Sequence, residues 1–148
     1  MRINPLFIKG FFAFCVEIIM RGYAREAAFC KIYTYLMSGV FDGDFSQFDQ
    51  DKLTEEDLQF ATSLVEGVIA DKAQLDAVIG EFSQSFKLSR IYRLDLAALE
   101  LAIWEMKNVG TPEPVVINEA VSLVKKYSTE KSVSYVNGIL AAYVRSDK

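Results

Sequence analysis

From Tyr23 to Arg145 the apolar residues recur every three or four positions, and nowhere do they alternate with polar ones over the length of a strand. Ala24, Ala28, Ile32, Tyr35 and Leu36 predict a helix over 23–38, with Gly39 as its stop. Thr54 and the three carboxylates after it suit the start of a second helix, because a hydroxyl and negative charge both satisfy a helix N-terminus. Its stripe is Phe60, Leu64, Val65, Val68 and Ile69. Asp71 restarts a helix with Leu75, Val78, Ile79 and Phe82 inward. A longer helix is predicted over 88–107. Between Leu94 and Met106 it is apolar nearly all round, broken by Asp95, Glu100 and Glu105, as suits the middle of a bundle. Thr111-Pro112-Glu113-Pro114 ends it and opens the next, with Ile117, Ala120, Val121 and Val124 inward. Ser128 or Thr129 caps the last helix, which runs to about Arg145 on Val133, Val136, Leu140 and Val144. The prediction is an all-α domain of six or seven helices with short connections.

With 148 residues, 51% of them apolar, the chain can bury a core without disulfides or metal. The net charge of −4 argues against a stand-alone, high-affinity nucleic-acid binder, since phosphate neutralisation needs clustered Lys and Arg. It leaves room for a local basic patch, or for a partner that supplies charge. Histidine is absent, which excludes Ser-His and Cys-His nucleophile pairs and histidine metal sites. Cys15 and Cys30 have no metal or redox spacing and fit a reducing cytoplasm. Asp42-Gly43-Asp44-Phe45-Ser46 begins like a calcium loop, but the sixth-position glycine is missing and Leu53 stands where a closing glutamate belongs, so it is read as a plain loop. The glycines are scattered singly and form no phosphate loop. Glu100 and Glu105 are the best candidates for buried acids, expected in ion pairs or at helix edges rather than in catalysis. The chain is therefore read as a non-enzyme with no cofactor or metal. Residues 6–20, LFIKGFFAFCVEIIM, are too short for a membrane span and carry Lys9 and Glu17. Residues 1–19 are read as an extension from an upstream start, ahead of a domain over 20–148.

On the last helix, Lys131, Tyr135, Gly138 and Ala142 fall opposite the apolar face at 100° per residue. A ring beside a lysine can stack a base and hold a phosphate. It can equally pack against a neighbouring helix, and the wheel does not choose. On the first helix Glu26, Cys30, Tyr33 and Met37 flank the stripe. Asn118, Glu119 and Asn137 are expected to make structural hydrogen bonds.

Five segments, in order, carry a resemblance: Arg21-Gly22-Tyr23-Ala24-Arg25-Glu26-Ala27, Ile32-Tyr33, Asp95 to Met106, Ile117-Asn118-Glu119-Ala120 and Tyr135-Val136-Asn137-Gly138. Together, residues 20–148 resemble the NusB family of bacterial transcription antitermination proteins. The family's opening is richer in arginine and its central helix usually reads Asp-Arg-Ala-Ile-Leu-Arg, so Gly22, Tyr23, Leu96 and Glu100 depart from it. The resemblance implies two small helical bundles packed at an angle. It also implies a cytoplasmic partnership with NusE, a small-subunit ribosomal protein, and joint binding of single-stranded boxA RNA within an RNA polymerase antitermination complex at ribosomal RNA operons. Residue by residue, it implies RNA contacts at Arg21, Arg25, Lys131 and Tyr135. By phase Arg25 leans toward the apolar side, where it can snorkel or pair with a carboxylate. Tyr33 and Asp95 match the NusE surface, and Met37, one turn beyond Tyr33, is assigned with them. An acid there suits a basic ribosomal protein. The alternative is a NusB-like module for protein interaction with little or no RNA binding. A homodimer is left open.

Overall fold

The computed structural model describes residues 21–83 and 87–146, and the extension over 1–19, with Cys15, lies outside the described residues. These residues form six α-helices and no strand: α1 (Gly22–Ser38), α2 (Glu55–Ala70), α3 (Lys72–Phe82), α4 (Arg93–Asn108), α5 (Glu113–Tyr127) and α6 (Glu130–Arg145). None is long and apolar enough to cross a membrane. The all-α expectation holds.

The local signals work as chemistry requires. Gly39 takes φ 77° and its N–H caps Tyr35 at 2.7 Å, a left-handed stop that favours glycine. Thr54 and Asp57 bond each other's backbone N–H in a reciprocal capping box at the start of α2. The Thr129 hydroxyl accepts from Ser132 N–H at the start of α6.

α4 is the axle. It packs against all five other helices, and Leu96 to Ile103 along it are buried without interruption, as its nearly continuous apolar sequence demands. α1 and α2 lie together on one part of it; α5 and α6 lie together on another, with α3 also reaching α6. Two helix groups thus share one central helix. Gly67 on α2 makes the closest approach: a Cβ there would stand 2.0 Å from the Trp104 ring of α4. The Trp104 indole N–H donates to Asp71 at 3.0 Å, which ties α4 to the α2–α3 corner.

Several sequence expectations need correction. α4 begins at Arg93 rather than near Leu88, because Leu88–Arg90 form a separate 3-10 turn and Ile91 then inserts into the core in an extended conformation. The inward face of α5 is Val116, Ala120, Leu123 and Val124; Ile117 and Val121 are only half-buried. On α6 the buried set is Ser132, Val136, Ile139, Leu140 and Tyr143, while Val133 and Val144 sit at the edge. Both helices touch three neighbours, so their buried stripe is wider than, and rotated from, the one a single apolar face suggests. Asn118 and Asn137 are exposed rather than tied into the core.

Candidate nucleic-acid and partner interface

The three carboxylates of α4 are all buried, and each has different partners. Glu105 accepts the Arg25 guanidinium in a forked pair, at 2.8 and 3.0 Å from Nε and 2.6 Å from Nη2, and also takes the Thr111 hydroxyl at 2.9 Å. Arg25 is 1% exposed. The arginine expected at RNA is therefore withdrawn into the core, because a buried acid one helix away is a stronger partner than solvent. Of the two roles its phase permits, carboxylate pairing is the one observed.

Glu100 is fully buried, with the Lys72 ammonium 3.2 Å away; the same ammonium is 2.6 Å from Asp76. Burial pushes the Glu100 carboxyl up to about 8, and the hydrogen bond and charge of Asp76 push the same way against Lys72. Of the two places expected for Glu100 and Glu105, an ion pair or a helix edge, each stands beside a cation.

Asp95 is 3% exposed. Its two oxygens accept the Ser128 and Ser132 hydroxyls, each at 2.8 Å. In the free chain Asp95 is therefore held by these hydroxyls at the floor of a groove rather than standing out as an exposed acid. The hydroxyl-rich corner between α5 and α6 closes over it, so Asp95 positions that corner rather than facing outward.

Around this corner lie two grooves. One, of about 840 Å³, is lined by Lys131 and Tyr135 of α6 together with Arg90, Ile91 and Tyr92. Lys131 is exposed. Tyr135 is half-buried, not fully outward: its ring lines the groove while its hydroxyl hydrogen-bonds Ser83 Oγ at the end of α3, 2.5 Å away. The other groove, of about 440 Å³, brings Tyr33 and Met37 of α1 against Tyr92, Arg93 and Tyr127. Met37 is 62% exposed and Tyr33 half-buried. Thus Lys131 meets Tyr135, and Tyr33 meets Met37, as the expected pairs. Arg21 and Arg25 join neither groove. Arg21 lies at the N-terminus of α1 with its guanidinium 4.9 Å from the Phe60 ring centre.

The flank of the second groove is a polar cluster. Lys126 donates to Glu26 at 2.5 Å and the Tyr127 hydroxyl donates to the same oxygen. Burial pushes the Glu26 carboxyl up, but these two donors outweigh it and hold the group below its ordinary value. The Cys30 thiol beside them is pushed up by burial.

Sequence reading missed Arg90, Tyr92 and Arg93. All three are exposed, Tyr92 at 63%. Among the described residues Lys87, Arg90, Arg93 and Lys131 make no ion pair, and these four exposed cations outnumber the exposed acid Glu130 of the same groove, so this corner is on balance basic in an acidic chain. The signal was present as Arg90-Ile91-Tyr92-Arg93, an aromatic between two cations. It was hidden by extending the helix back to Leu88, which made the segment look like an ordinary first turn.

Comparison with known proteins bears on what such a corner does. The model of the NusB family matches residues 23–145. The transcription antitermination protein NusB of Acetivibrio thermocellus is 45% identical over 98 residues, 66% of this chain and 68% of the relative. That of Thermoanaerobacter sp. strain X514 is 35% identical over 125 residues, 84% and 89% of the two chains. Among solved structures, a T. maritima NusB superposes with a TM-score of 0.73 at 26% identity, over 84% of this chain and 90% of that one. A chain from a crystal structure of antitermination factors NusB and NusE with double-stranded RNA superposes with a TM-score of 0.75 at 27% identity, over 86% and 97%.

Proposed function

The chain belongs to the NusB family, and from that premise we propose that it is an antitermination factor, not an enzyme, which binds single-stranded boxA-type RNA together with NusE. In this reading it acts in the cytoplasm, within an RNA polymerase antitermination complex that promotes transcription of ribosomal RNA operons, through the domain over 20–148. The observation that carries the proposal is the groove where Lys131 and Tyr135 sit with Arg90. It offers what a single strand requires, a π-face for a base beside cations for phosphate. Likeness to a chain crystallised with NusE and double-stranded RNA supports the coarser part of this reading, partnership with NusE and with RNA. Tyr33 and Met37 are the proposed NusE-facing residues. Asp95 serves that surface indirectly, by holding the Ser128–Ser132 corner.

A second reading has an observation in its favour. Arg25 is spent on Glu105 and Arg21 is packed over Phe60, so the N-terminal arginines offer little to phosphate. A module that binds only protein fits that withdrawal. A fluorescence titration of labelled boxA RNA, with and without NusE, separates the two. The proposal expects binding that tightens when NusE is added. RNA affinity no greater with this chain present than with NusE alone supports the second reading.

A further inference from the structure

The two grooves are not separate. Tyr92 and Thr129 line both. Tyr92 is the N-cap residue of α4, with extended backbone (ψ 137°) and no capping hydrogen bond from its side chain. Its ring is 63% exposed, among the most exposed large apolar groups of the described residues. It is flanked by Arg90 on the Lys131 side and by Arg93 on the Met37 side. An aromatic residue this exposed is little used by the fold, and Arg90 and Arg93 on either side of it have no carboxylate partner among the described residues, while Glu130 lines the first groove beside Lys131. That surrounding repels a basic protein and attracts a phosphate chain.

We propose that Tyr92 is a second base-stacking platform, which carries an RNA strand from the Lys131–Tyr135 groove across the corner toward the Tyr33–Met37 surface, with Arg90 and Arg93 holding the phosphates on either side. This rests on the reading of the chain as an RNA binder and adds to it a residue and a direction. The strand leaves the first groove at the edge of the partner surface, so RNA and a partner seated on Tyr33 and Met37 meet over Tyr92.

Stacking and charge have separable signatures. Loss of a ring lowers affinity without changing its salt dependence, whereas loss of an arginine flattens the salt dependence. The test is fluorescence titration of a labelled single-stranded RNA with the full chain and NusE, over a series of salt concentrations. The variants are Tyr92→Ala, Tyr92→Phe, Tyr135→Ala and Arg90→Ala. Tyr92→Ala is expected to weaken RNA binding about fivefold or more with an unchanged salt slope, and Tyr92→Phe to restore it. Arg90→Ala is expected to lower the slope by about one. Because Tyr92 is exposed, its variants should melt as the parent does. If Tyr135→Ala weakens RNA while Tyr92→Ala does not, Tyr92 is no platform and this inference fails alone. If Tyr92→Ala weakens NusE binding but leaves RNA binding by the assembled complex unchanged, Tyr92 belongs to the protein partner and the inference also fails. If the parent chain adds no RNA affinity at all, the underlying reading fails first.

Discussion

The two ends of α4 hold the same kinds of charge and put them to opposite uses. At the C-terminal end, Glu105 draws Arg25 out of solvent into a forked pair completed by Thr111. At the N-terminal end, Asp95 is satisfied by the neutral hydroxyls of Ser128 and Ser132. With its oxygens occupied, it makes no claim on Arg90 or Arg93, which stay outside. An arginine's availability to a ligand is thus decided less by its own place in the sequence than by what satisfies the nearest carboxylate. One end of the helix is architecture; the other is free to bind.

The sharpest way to break this contrast is at the closed end. Replacing Glu105 with Ala leaves the Arg25 charge buried without a partner and should cost about 3–5 kcal/mol of stability, read by urea unfolding. RNA binding at a temperature where the variant remains folded should be unchanged. A stable Glu105→Ala variant would show that Arg25 can reach solvent, and would return it to the list of RNA contacts.

At the open end, Tyr135→Ala should cost on the order of 1–3 kcal/mol in RNA binding. It also loses the hydrogen bond to Ser83, worth about 1 kcal/mol in stability. Tyr135→Phe loses only the hydrogen bond. Equal RNA affinity in the Phe variant and the parent, beside a weakened Ala variant, assigns the effect to the ring. Asp95→Asn should lower the melting temperature by loosening the Ser128–Ser132 corner, because one oxygen acceptor becomes a donor facing a hydroxyl. An Asp95→Asn variant that melts like the parent but loses NusE would restore Asp95 as a partner contact.

Between the two ends lies Glu100, and it sharpens the comparison through pH. Its carboxyl is raised from 4.5 to about 8 by burial and by Asp76. A group whose folded value is raised stabilises the fold fully below its unfolded value, and that contribution is lost as pH rises through about 8. Thermal melting should therefore show stability falling over this window, and Glu100→Gln, which cannot ionise, should flatten the fall. An identical pH profile in the Gln variant would mean that another group carries this pH dependence. The smallest effect expected is on stability in Arg90→Ala and Arg93→Ala. Each should change it by less than about 0.5 kcal/mol, because neither side chain is paired among the described residues.

What the sequence disclosed follows the same division. The helices were legible because their apolar spacing and end signals are local: Thr54, Gly39 and Pro114 act on neighbouring backbone. The central place of α4 was legible because a helix apolar on every side has nowhere else to go. The inward faces of α5 and α6 were not, since each packs on three partners and tertiary contact turned the stripe. The site was half legible. Lys131 and Tyr135 do share a groove, and Tyr33 and Met37 share another. The partners that bury Arg25 and Asp95 were not legible for one reason: they stand 80 and more than 30 positions away, and spacing along a chain says nothing about a pair at that distance. Arg90, Tyr92 and Arg93 were overlooked because a boundary set five residues early hid an exposed turn inside a helix.

The central claim is that RNA is held at the open end of α4 and not by the arginines near residue 21. The most direct measurement is the RNA affinity of the Lys131→Ala/Tyr135→Ala double variant in complex with NusE, set beside its melting curve. The account predicts a loss of tenfold or more with melting within a few degrees of the parent. RNA affinity equal to the parent's, in a double variant that is fully folded, would contradict it.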